Sequence, residues 1–290
     1  MSLLVRINLI LGVTLGIAAI ALSFGCWSLL QANAKREVLR EAALMMDSAL
    51  AQRSYTSAEI LPLLQSQMKT EFLPQSVPFY AATQNFLKLR EQHPEYTYKE
   101  ATLNPTNLRD RATDWETDLI QQFRNDSKTH EIAGERDTPM GRSMYLARPI
   151  HVDPECLECH SAPAAAPAAL LARYGSDNGF GWQIHEVVGA HVVSVPLASA
   201  TAGAELVFRS VTAWIIAVLA ISMLVVNVVV YFLVVRPIRR IAGIAEELSV
   251  GNAAAGEFPP GHASELTALT RSFNRMRTSL EKAMKLLEEP

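Results

Sequence analysis

The chain has 290 residues, 49% of them hydrophobic and 19% charged, with a formal net charge of −3. That balance supplies neither a basic face for nucleic acid nor a strongly acidic surface, and the length allows one to three folding units. The apolar residues are concentrated in two runs rather than spread evenly, which points to a membrane protein with a polar domain between its spans.

Ile7 to Leu30 is almost wholly apolar over about 24 residues and Val211 to Val235 over about 25. Each is long enough to cross a hydrocarbon core of roughly 30 Å as a helix. The first is too long for the apolar stretch of a cleaved leader, and Phe24-Gly25-Cys26-Trp27 offers no small-x-small cleavage site, so it is expected to remain as an anchor. Arg6 precedes the first span and Arg236, Arg239 and Arg240 follow the second, which places both ends in the cytoplasm; Lys35 and Arg36 oppose this weakly. Within the spans, Cys26 reads as a small apolar residue and Asn227 as a hydrogen-bonding residue between helices.

From Ala32 to Ala51 there is no proline or glycine, so the first span should continue as a helix. Its apolar stripe is Leu39, Ala43, Met46 and Leu50, with Val38, Ala42, Met45 and Ala49 beside it. Pro62 should end or bend the run that follows. Phe79 to Gln92 reads as a second helix, Tyr96 to Leu103 as a strand, Asn104-Pro105-Thr106-Asn107 as a turn, and Arg111 to Arg124 as a third helix. Three more strands are expected at His130 to Ala133, Ser143 to Ile150 and Glu186 to Pro196. Strands mixed with helices in this way make the domain α+β.

Cys156-Leu157-Glu158-Cys159-His160 is the C-x-x-C-H signature of covalent haem c attachment. Two thiols three positions apart can both reach the vinyl groups of one haem, and the adjoining His160 is placed to be the proximal iron ligand. A structural zinc site would need further ligands, and the remaining cysteine, Cys26, lies in the first span. A plain disulfide is the bland alternative. Haem c is attached on the far side of the bacterial inner membrane, so the motif puts residues 31–210 in the periplasm. The expected division is a cytoplasmic N-terminus at 1–6, a span at 7–30, a periplasmic haem domain at 31–210, a second span at 211–235 and a cytoplasmic segment at 236–290.

Residues Met45 to Pro196 resemble a family of bacterial periplasmic c-type haem domains, catalogued as a domain of unknown function, with a PAS-like fold. The resemblance is carried by Arg53-Ser54-Tyr55-Thr56, Asn104-Pro105-Thr106-Asn107 with Trp115, Ala147-Arg148-Pro149-Ile150, the haem motif, Tyr174-Gly175, Gly179-Phe180-Gly181-Trp182 and Val187-Val188-Gly189. It implies one haem c packed between the long first helix and the sheet. On that placement, Met46 or Met45 is expected as the second axial ligand, with Met46 preferred. His151, His185 and His191 are rivals. Arg53 and Arg148 are expected to hold the propionates, since a guanidinium can bind a carboxylate bidentately. Trp115, Phe180 and Trp182 are expected as apolar walls.

After the second span, Ile238, Ile241, Ala245 and Leu248 repeat at 3, 4, 3, and Leu266, Leu269, Phe273, Met276, Leu280, Ala283 and Leu287 continue the alternation. Two such helices joined by a connector with Gly251, Gly256 and Pro259-Pro260 resemble the HAMP domain, as do Pro237, Glu265 and Phe273-Asn274-x-Met276. Neither helix can bury its seam alone, so the resemblance implies a homodimer with a parallel four-helix bundle. The sequence shows no catalytic constellation. The expected protein is therefore a membrane-bound haem sensor, not an enzyme, that signals through the HAMP segment to a separate cytoplasmic partner. The alternatives are a tethered electron-transfer cytochrome, or a PAS-like cavity that binds a small molecule with haem as a structural part.

Overall fold

The computed structural model describes residues 3–68, 70–250 and 264–288, so the expected glycine and proline connector of the HAMP segment lies outside the described residues. The chain divides into two compact units, Trp27–Val207, and Met1–Cys26 with Phe208–Pro290.

In the first unit, four antiparallel strands form one sheet in the order β1-β4-β3-β2. They are β1 (Thr97–Thr102), β2 (Ile132–Thr138), β3 (Gly141–His151) and β4 (Val187–Pro196). Helix α1 (Leu3–Tyr55) runs unbroken for 53 residues from the first apolar segment into this unit. It is followed by α2 (Leu61–Met68), α3 (Pro78–Arg90) and α4 (Asp114–Asn125), with two short helices, α5 (Leu157–His160) and α6 (Ala168–Tyr174), between β3 and β4. The helix does not end at Pro62. A π-helical turn at Thr56–Ile60 precedes α2 and opens the backbone where the proline ring must fit.

The sheet is covered on both faces. Met144, Leu146, Val193 and Val195 pack with Val38, Ala42, Met46 and Ala49 of α1 and with Phe86 of α3. Ala147, Ala190 and Val192 point the other way, against Leu119, Ile120 and Phe123 of α4. This is the alternation of a pleated strand. A central strand covered on both sides reads as a continuous apolar run, and every residue of β4 but its last is buried. Helix α4 begins where the Glu116 carboxylate accepts the Thr113 backbone N–H at 2.8 Å, which satisfies a donor of its first turn.

Strand β2 extends from Ile132 to Thr138, well past the expected His130 to Ala133. It is an edge strand carrying Glu135, Arg136 and Asp137, and charge on an edge hides a strand from hydrophobic pattern while protecting it from stray pairing.

Helix α7 (Ala198–Val230) begins in the first unit and carries the other apolar segment into the second, where it leads, through a π-helical turn at Tyr231–Val235, into α8 (Arg236–Ser249) and then α9 (Ser264–Glu288). Both apolar segments are long enough to cross a membrane, with mean hydropathies of 2.3 and 2.8, and neither is buried. Asn8 and Asn227 donate to each other at 2.7 Å, the hydrogen bonding between spans expected of Asn227. On α8, Ile241 is buried and Ala245 and Leu248 half-buried, whereas Ile238 is exposed.

Candidate functional site

The haem motif lies where the chain leaves the end of β3. Pro154 opens a short 3-10 turn, Pro154–Cys156, and α5 carries Cys159 and His160. Both thiols and the His160 imidazole line one wall of a cavity of about 490 Å³. Other parts of the lining come from Leu50, Arg53 and Ser54 of α1, Met68 at the end of α2, and Phe79 and Tyr80 of α3. The two cysteines are free thiols, and burial pushes both up from their ordinary range, so they stand as neutral S–H groups.

His160 is held in one orientation. Its Nδ1 lies 2.7 Å from the Gly179 carbonyl oxygen, a bond in which the ring nitrogen must be the donor. The Nε2 lone pair is thereby left free, as an axial ligand requires. Trp182 stacks on the ring at 4.0 Å and 12°. Burial lowers the imidazole's proton affinity and favours the neutral form, the one that can bind a metal.

Three motifs of the sequence converge on this one histidine. Asn104 accepts the Gly179 N–H at 3.1 Å and donates to the Phe180 carbonyl at 3.3 Å. Gly181 and Trp182 donate their N–H groups to the Ser161 and His160 carbonyls. The Asn-Pro-Thr-Asn turn thus clamps the Gly-Phe-Gly-Trp segment, and that segment clamps the haem motif. Gly179 has φ +86°, and a Cβ there would lie 2.9 Å from the Thr106 Cα. Gly179→Ala is therefore expected to displace the carbonyl that holds His160 and to lower both haem incorporation and the melting temperature. The haem-to-protein absorbance ratio of the purified chain checks it, and an unchanged ratio would mean that this clamp is dispensable.

Of the expected site residues, Cys156, Cys159, His160, Arg53 and Trp182 meet at the cavity, and Met45, Met46 and Arg148 do not. Met46 is 0% exposed and packs in the α1-side core with Val38, Ala42 and Ala49, against which Leu39, Ala43 and Leu50 also pack. It precedes the cavity residue Arg53 by seven positions, roughly 10 Å along a helix. Met45 is half-buried against the same core. The methionine on the cavity wall is Met68, whose sulfur accepts the Leu73 N–H at 3.1 Å.

Arg148 is taken up by Asp47 at 2.6 Å and Glu131 at 2.9 Å. The second guanidinium at the cavity belongs instead to Arg109, which also bonds Asp110 at 3.2 Å. Trp115 lies in the α4-side core beneath Arg136, and Phe180 is half-buried without lining the cavity. Of the rival histidines, His151 lines the cavity, His191 is buried within the sheet, and His185 takes a left-handed φ of 63° in the turn before β4. Met68, Tyr80 and Arg109 carried no motif or periodicity that would have marked them.

The donor set suits a haem. Two thiols and an oriented imidazole share one wall, and guanidinium groups stand elsewhere on the lining. The Trp182 indole Nε1 is a buried donor without a protein partner. Such a group is costly unless something accepts its proton. Among the described residues there is no group of three or more His, Cys, Asp or Glu side chains that could hold a bare metal ion.

The family matches agree with the resemblance carried by the motifs. No curated protein matches the chain. The crystal structure of the cyanobacterial haem protein Tll0287 superposes with a TM-score of 0.43 at 17% identity, over 55% of this chain and 95% of that one. Residues 230–282 match the HAMP domain. Residues 31–196, more than half of the sequence, match the Tll0287-like family, and the chain belongs to that family.

Proposed function

We propose that the protein is a membrane-bound sensor that holds one haem c and passes its redox or ligand state through the HAMP domain to a separate partner. The observation that carries the proposal is the cavity wall on which Cys156, Cys159 and an Nε2-free His160 stand together, in a chain that also contains a HAMP domain. Cys156 and Cys159 would each hold the haem through one thioether, and His160 would bind its iron through Nε2, with Arg53 and Arg109 the cations available to the propionates. The bound haem supplies an iron that changes charge by one unit or exchanges a ligand.

The route out of the domain is covalent. Helix α1 contains both an apolar segment and the cavity residues Leu50, Arg53 and Ser54, and α7 begins two residues after β4 ends. The PAS-like domain of residues 31–210 lies in the periplasm of a bacterial inner membrane, both termini are cytoplasmic, and α8 and α9 bury their seams in a homodimeric bundle.

The test uses the full chain, made with the haem c attachment machinery and spin-labelled on α9. Spectra and inter-label distances are recorded oxidised, reduced and after carbon monoxide. A distance that changes with the state of the iron is the expected result. Distances that stay the same while electrons exchange rapidly would instead make the chain a tethered electron carrier.

A further inference from the structure

Between the α1-side core and the cavity lies a layer of ionisable side chains that holding a haem does not by itself require. At its centre is Glu100 of β1, which is 0% exposed. Its Oε1 accepts the Tyr98 hydroxyl at 2.7 Å, and its Oε2 accepts the Arg53 guanidinium. Across the sheet, His191 Nδ1 lies 3.7 Å from Glu100 Oε2 and 3.2 Å from the Tyr98 hydroxyl.

The charges around this group are few. His191 is 5% exposed, and burial, with Arg53 and Arg148, keeps it well below its ordinary range, so it adds no positive charge. Asp110, from the turn beside β1, faces Glu100 with like sign, and its own carboxyl is raised by burial. Tyr98 is raised far above its ordinary range by burial, and stays a neutral donor. Arg53 supplies the positive charge on the buried carboxylate, and the Tyr98 hydroxyl bond also favours its ionised form. The Arg53 side chain is 25% exposed and also lines the cavity. One guanidinium is therefore shared between a buried carboxyl and the site of charge change.

We propose that Glu100 is the redox-linked proton site of this domain, taking up a proton when the cavity gains an electron and releasing it when the electron leaves. The inference rests on the reading of the cavity as a haem site. For each electron delivered to the iron by an external one-electron donor, up to one proton passes from solvent to the Glu100 carboxylate. Burial already brings this carboxyl up to about 7, against the pull of Arg53, so the exchange falls at and just above neutral pH. At an effective dielectric of about 20, a unit charge about 10 Å away changes a proton affinity on the order of tenfold. Added negative charge in the cavity raises the affinity, and protonation in turn removes the charge that ties Arg53 of α1 to β1. An electron thereby loosens a contact between the sheet and the helix that carries the first apolar segment.

The experiment is a pH series of reduction potentials on the haem-loaded full chain, wild type and Glu100→Gln, with redox-difference infrared spectra of the wild type in H₂O and D₂O. The expected wild-type potential falls as pH rises through and just above neutrality, with a maximal slope of about half a proton per electron, which is what a tenfold change in proton affinity allows. A deuterium-sensitive carboxylic acid band should grow on reduction. In Glu100→Gln the slope in this window is lost while the visible spectrum keeps its ligation pattern. A pH-independent wild-type potential without a carboxyl band, or a slope that survives in the variant, would overturn the proposal. A full chain that takes up no haem would overturn the haem reading itself. If the variant does not fold, the wild-type slope and infrared band still decide.

Discussion

Replacing both Cys156 and Cys159 with alanine should remove all haem signal from the denatured chain, and each single replacement should leave a weaker band. The readout is the peroxidase activity of haem that stays on the polypeptide in a denaturing gel. The physical basis is that both thiols are neutral, free and on one cavity wall, so each can form its own thioether. His160→Ala should behave differently. Covalent attachment should survive in part because the thiols remain, while loss of the imidazole that the Gly179 carbonyl orients should shift the visible spectrum to an open-site form. Equal haem signal in the double-cysteine variant would return the motif to a reducible thiol pair.

The haem motif was legible because its chemistry is local. Cys156, Cys159 and His160 lie within five residues, and the spacing itself specifies what they can reach. The Ala32 to Ala51 part of the long helix and the central strand were legible for a related reason, since a run without proline or glycine and a valine-rich run each declare themselves by pattern. The cavity walls were not. Met68, Tyr80 and Arg109 come from three separate segments, and nothing in their own neighbourhoods reports that the fold folds them toward Cys156. Arg148 shows the converse error. It stands in a recognisable Ala-Arg-Pro-Ile segment, and its guanidinium is already spent on Asp47 and Glu131, partners 101 and 17 positions away in sequence. The same limit applies to Glu100, whose neighbours Tyr98 and Lys99 look like an ordinary strand until Arg53 and His191 are brought beside it.

Met46 and Met68 separate a packing methionine from a cavity methionine, and their replacements should have opposite effects. Met46→Ala leaves a void in a core formed by α1, α3 and the sheet, where the thioether side chain is fully enclosed by Val38, Ala42, Leu146, Val193 and their neighbours. A loss of roughly 2–5 kcal/mol is expected for such a truncation, read by chemical denaturation, with the visible spectrum of the haem-loaded protein unchanged. Met68 is half-buried at the end of α2, so Met68→Ala costs much less stability. Its sulfur is nevertheless the thioether on the cavity wall, and its loss is expected to weaken any sulfur-to-iron band and speed carbon monoxide binding. A spectrum altered by Met46→Ala and indifferent to Met68→Ala would mean that α1 rotates or slides by about one turn, roughly 6 Å, the distance from Met46 to the cavity residue Leu50, when haem is loaded. Helix α1 holds its present register through a continuous buried stripe and through Arg53 on Glu100, so the core would have to be dismantled for that to happen.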